Sequence, residues 1–147
     1  MELLAAVLSG FAIALVAPAL PRVTGSATGW LLSLLPAGLT VYFARLLQHP
    51  AVVAGDGVRE STPWLSLRGD LAINLSFAAD GLSLLFCLLI CGIGTLVVIY
   101  AGCYLAGHRQ LGRFYLYLLS FMASMLGLVL SDNLLLLFIF WEATSLT

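Results

Sequence analysis

Lysine is absent from this sequence of 147 residues, and charge of either sign is scarce. Six arginines face seven acidic residues, together 9% of the chain. A soluble domain keeps its surface in water with about 25% charged residues, so water is excluded as the solvent around most of this one. A net charge of −1 excludes the basic face that nucleic acid needs. Three cysteines, an odd number, do not make a disulfide framework. Cys87 and Cys91 share a helix face by their spacing, but no further ligand lies nearby. No metal and no cofactor is expected, and both are read as small apolar side chains.

What the chain has is hydrocarbon: 62% of its residues are hydrophobic and its mean hydropathy is +1.10. Leu3 to Pro21 carries no charge and is long enough for a helix of ~27 Å. A cleaved signal peptide fits this start poorly. Glu2 stands where a cation belongs, and the apolar stretch exceeds the usual ~7–15 residues. Pro21, Arg22, Gly25 and Ser26 make a short link, and Val23 to Ala44 is again uncharged. Transmembrane helices are therefore expected over about 3–21 and 27–46.

Residues 48–80 differ. They hold Pro50, Gly55, Gly57, Pro63 and Gly69 with six charges, and so lie outside the bilayer. Leu65 and Leu67 alternate with polar residues, as do Leu71, Ile73, Leu75 and Phe77 beyond Gly69-Asp70. That alternation about a glycine turn predicts a β-hairpin over 64–77. Asp80 is placed to cap a third helix over 81–105. His108, Arg109 and Arg113 mark a short basic loop, Phe114 to Ser131 is again uncharged, and a fourth helix is expected over about 113–131. Asp132-Asn133 is a second polar cap, and a fifth helix over 133–147 breaks off at Thr147. Cut there, its last carbonyls would be unsatisfied in lipid, so a fragment is expected. The expected fold class is an all-α integral membrane protein. It has four complete transmembrane helices, a truncated fifth, and a β-hairpin between helices 2 and 3, in one membrane domain over 1–147. Ala123, Gly127 and Ser131 predict a small-residue ridge for close helix contact, with Gly92 and Gly94 near the middle of the third helix.

Glu142 carries the chemistry. About two turns beyond Leu134, it lies ~12 Å into the bilayer. A carboxylate there is costly, by roughly 2.5 kcal/mol or more, and such groups face the protein interior and serve ion or proton transfer. A carboxyl can hold or give up a proton according to what surrounds it, the tunability a proton relay needs. The plainer reading is a carboxylate hydrogen-bonded to Thr144 or Ser145. No basic residue within the uncharged runs of the four complete spans is available to pair with it. Asp132 is read either as the cap of the fifth helix or as a group at the mouth of an ion path.

From Asp80 to Leu146 the string DGLSLLF…RFYLYLLSFMASMLGLVLSDNLLLLFIFWEATSL resembles the first helices of the complex I chain-5-type antiporter subunits. Thr28-Gly29-Trp30, Leu34-Leu35-Pro36, Tyr42-Phe43, the run from Gly92 to Val97 and the segment from Phe140 to Leu146 favour one branch, the large A-type subunits of Mrp-type multisubunit sodium/proton antiporters. Trp141-Glu142-Ala143-Thr144-Ser145 departs from the fifth helix of the respiratory chain-5 subunit. The resemblance implies a transporter subunit, not an enzyme, in the cell (cytoplasmic) membrane. It would exchange sodium or another monovalent cation for protons, with further antiporter subunits as partners. It implies that Glu142 pairs with a lysine beyond Thr147, and that the N-terminus and hairpin lie outside, with Arg22, Arg109 and Arg113 in cytoplasmic loops and Arg45, Arg59 and Arg68 opposite. The rivals are a proton-pumping chain-5-type subunit of an NADH:quinone oxidoreductase and a small membrane assembly protein complete at 147 residues.

Overall fold

A computed structural model describes residues 2–21, 27–66, 72–105, 108 and 110–147. The elements are α1 (Glu2–Val16), α2 (Thr28–Leu46), a single turn α3 (Pro50–Val53), β1 (Val58–Ser66), β2 (Ala72–Ala79), α4 (Gly81–Tyr104), α5 (Leu111–Leu130) and α6 (Leu134–Leu146). The fold is mostly helical, with one small sheet. Among the described residues α2, α4 and α5 are long and apolar enough to cross a membrane, while α1 and α6 are shorter apolar helices.

α1 stops at Val16, short of the expected Pro21. Pro18 is the reason: its ring disfavours helical geometry at Ala17, and turns follow to Leu20. The hairpin is longer than the alternation indicated. β1 pairs antiparallel with β2 from Val58↔Ala79 to Ser66↔Ala72, with an irregularity between Pro63 and Leu65. Pro63 donates nothing to the ladder, and a shift of register beside it is the usual accommodation. The Gly69-Asp70 turn lies outside the described residues.

The hairpin sits where five helix ends meet. α4 starts directly from β2 in a capping box: Ser83 N–H donates to Asp80 Oδ1 at 2.7 Å, and Asp80 N–H donates to Ser83 Oγ at 2.9 Å. The link from α5 to α6 extends the sheet through a bridge between Phe77 and Ser131, with Asp132 N–H donating to Ser76 O at 2.9 Å. Around this end Leu3, Val7, Phe43, Phe77, Leu84 and Leu130 form one buried cluster. A second, built on Val98, Leu111, Tyr115 and Met122, fills the opposite half.

In lipid, apolar burial between helices yields little, because tails are as apolar as leucine; close packing decides. Small residues stand at four of the helix contacts. A Cβ at Gly10 of α1 would stand 2.8 Å from the Cβ of Ala123 on α5. Gly29 of α2 meets Gly102 of α4 backbone to backbone, under the hydroxyl of Tyr115. The ring of Phe140 of α6 packs over Gly127, and Met122 lies over Gly94. The small-residue ridge thus serves two neighbours: Ala123 faces α1 and Gly127 faces α6. Cys87 and Cys91 are free thiols buried in the first cluster.

Candidate functional site

Asn133, not Asp132, caps α6. Its backbone is extended and its side-chain oxygen accepts from Leu136 N–H at 2.9 Å, while its Nδ2 donates to Asn74 O at 3.0 Å. Asp132, one residue earlier, turns its carboxylate towards β1, 3.7 Å from the guanidinium of Arg59. The capping role expected of Asp132 is therefore corrected. Its backbone is held by the β2 carbonyl of Ser76, which leaves the cap to its neighbour.

Beside this pair lies a cleft of about 460 Å³, lined by Asp56, Arg59, Asp80, Asp132, Leu82 and Phe86 among others. The capping box holds the Asp80 carboxyl below its ordinary pKa, Ser83 supplying both the side-chain and the backbone hydrogen bond.

Glu142 is exposed near the far end of α6 and has no hydrogen-bond or ion-pair partner among the described residues. Thr144 and Ser145, the local partners of the plainer reading, donate instead to the backbone carbonyl of Trp141, at 2.6 and 3.4 Å. Asp132 and Glu142 are not brought together; the helix separates them by ~15 Å.

Glu60 went unrecognised in the sequence. From β1 its carboxylate accepts the backbone N–H groups of Glu2 at 2.9 Å and Leu3 at 3.0 Å, so it caps α1 from another element. Burial raises its pKa, but the hydrogen bonds outweigh burial and the net shift is downward. Tyr42 of α2 donates to Glu2 Oε2 at 3.1 Å, which ties a third element into the same junction. No pattern in the sequence links Glu60 to residues so far from it. Among the described residues no group of three His, Cys, Asp or Glu could hold a metal ion.

Comparison with known proteins places this geometry. Residues 64–115 match the family described as NADH-Ubiquinone oxidoreductase (complex I), chain 5 N-terminus. The A-type Na(+)/H(+) antiporter subunit of Alkalihalophilus pseudofirmus is 46% identical over 144 residues, 96% of this chain and 17% of that protein. The A1-type Na(+)/H(+) antiporter subunit of Staphylococcus haemolyticus is 46% identical over 117 residues, 80% of this chain and 14% of that protein. Among solved structures, a chain of the Mrp complex from a Dietzia species superposes with a TM-score of 0.83 at 33% identity, over 99% of this chain and 15% of that one. The chain thus spans about a sixth of the length of the relatives it matches.

Proposed function

This multi-pass membrane chain is a relative of the A-type subunits of Na(+)/H(+) antiporters, and we propose that it acts as part of such a subunit in the cell membrane. Within a multisubunit antiporter it contributes to the exchange of sodium or another monovalent cation for protons. Its partners are the other antiporter subunits and the surrounding lipid. It forms a single membrane unit in which α1 and α6 cross with α2, α4 and α5, four complete spans and an incomplete fifth. Glu142 transfers the proton, and Asp132 lies at the mouth of the ion path on the hairpin side.

The observation that carries this reading is Glu142 itself. A carboxylate with no partner among the described residues, on a helix as apolar as α6, is too costly to leave against lipid, so another protein segment with a cation or a proton donor covers it. A respiratory role is the second reading, favoured by the chain 5 match over residues 64–115; that subunit binds no redox cofactor itself.

The test is sodium-driven dissipation of a pH gradient in vesicles. Vesicles holding the assembled complex are expected to exchange, and vesicles holding this chain alone are not, because among the described residues no cation stands against Glu142. Exchange by the chain alone would overturn the need for a covering partner. Vesicles of the complex that pump protons only when given NADH and quinone would establish the respiratory reading.

A further inference from the structure

The cleft beside the hairpin is built from two kinds of surface. Asp56, Arg59 and Asp132 supply charge, while Leu82 and Phe86, 64% and 46% exposed, supply an apolar wall. The Arg59–Asp132 contact, at 3.7 Å, leaves most of the five guanidinium donors unused. The Asp56 carboxylate has no partner among the described residues, whereas the Asp80 carboxylate is engaged with Ser83.

From the cleft an apolar stripe runs outward-facing down α4: Leu82, Phe86, Leu89, Ile93, Leu96 and Tyr100, all exposed and spaced by three or four residues. From Leu82 to Tyr100 the rise is ~27 Å, close to a bilayer's hydrocarbon thickness. At its far end Tyr100 and Tyr104 stack with ring centroids 5.5 Å apart, as aromatic residues do at a membrane interface. The cleft therefore lies at headgroup depth, with an acyl-chain track leading away from it.

We propose that this cleft binds a phospholipid with a primary-ammonium headgroup, of the ethanolamine class. The phosphate meets Arg59, the ammonium meets Asp56, and one acyl chain follows Leu82, Phe86 and Leu89. Charge selects this headgroup. An anionic lipid without an amine would bring its charge among three carboxylates and one guanidinium. A choline headgroup has no N–H to donate to Asp56. The inference rests on the membrane span and not on ion exchange.

The test uses a phosphatidylethanolamine with a photoreactive acyl chain, added to the protein purified with its assembled complex. Labelling is read by peptide mass spectrometry. The α4 segment around Leu82 to Leu89 is expected to be labelled, and unlabelled phosphatidylethanolamine to compete about tenfold better than phosphatidylcholine or phosphatidylglycerol. Arg59→Ala and the isosteric Asp56→Asn are each expected to reduce that preference several-fold, with background labelling of the exposed α2 face at Trp30 and Leu34 unchanged. Equal competition by the three lipids, or a preference that survives both substitutions, would overturn the site. So would cross-links from this segment to protein in place of lipid, which would mean that another subunit covers the stripe.

Discussion

Glu60 Oε2 accepts the backbone N–H of Leu3 at 3.0 Å, across 57 positions of sequence. A second bond, from Glu2 N–H to Oε1, makes the β1 carboxylate a two-point cap on α1. It satisfies two otherwise orphan donors and sets a negative charge at the positive end of the helix dipole.

Removing that cap with Glu60→Ala is expected to destabilise the protein by about 1 kcal/mol. Hydrogen exchange in the first turn of α1 should quicken. Glu60→Gln keeps an acceptor oxygen and loses the charge, so it should fall between. Exchange and thermal unfolding in mild detergent check both.

The same carboxylate gives a pH dependence. Its folded-state pKa lies below the ordinary 4.5, so its contribution is complete above that value and fades as pH falls through the lower folded one. Wild type should lose α1 protection on acidification below the usual carboxylate range. Glu60→Gln should show a flatter profile there, read by the same exchange experiment.

Gly10 and Gly38 are a matched pair of helical glycines. A Cβ at Gly10 would collide with Ala123, while at Gly38 it would meet nothing within 4 Å. Gly10→Ala is expected to cost about 1–3 kcal/mol by forcing α1 from α5. Gly38→Ala should be neutral or stabilising by up to about 1 kcal/mol through helix propensity. Thermal melts of the two variants decide it.

Tyr115 is buried and donates its hydroxyl to Val98 O at 3.2 Å, beside the Gly29–Gly102 contact. Tyr115→Phe should cost about 0.5–1.5 kcal/mol, the loss of one hydrogen bond with the ring retained. Gly29→Val should cost more, because a Cβ at Gly29 would stand 3.0 Å from both the Gly102 Cα and the Tyr115 hydroxyl and 3.3 Å from Val98 O, and valine adds two methyl groups beyond it. Unfolding of both variants, read alongside wild type, tests the order.

Much of the fold was legible because lipid imposes a simple rule: a spanning helix carries no charge through its core. The uncharged runs lie where α2, α4 and α5 stand, and Asp80 is the cap its place suggested. The first half of β1 was not legible. Arg59, Glu60, Ser61 and Thr62 carry no apolar alternation, and their strand is fixed by pairing with Phe77 and Ser76. Asp132 and Asn133 are adjacent polar residues of equal capping aptitude, so only the hold of Ser76 on the Asp132 backbone decides between them. Glu60 was invisible because a cap supplied across the fold leaves no local signature. That Glu142 has no local partner among the described residues was not legible either, since it depends on Thr144 and Ser145 turning back to Trp141.

Glu142 in the assembled complex gives the most direct test of a proton-transfer role. Glu142→Gln keeps shape and hydrogen bonding and removes the titratable charge. A covering cation would lose a favourable neighbour and its pKa would fall, each unit corresponding to ~1.4 kcal/mol, or tenfold in its protonation equilibrium. Glu142→Asp keeps the charge but retracts it by about one methylene, and should retain partial exchange. The measurement is sodium/proton exchange in vesicles over a range of pH, at matched levels of assembled complex. Glu142→Gln is expected to lose at least about tenfold in activity, with Glu142→Asp between it and wild type. Exchange by Glu142→Gln at the wild-type level across that range would contradict the role and reduce Glu142 to a structural carboxylate.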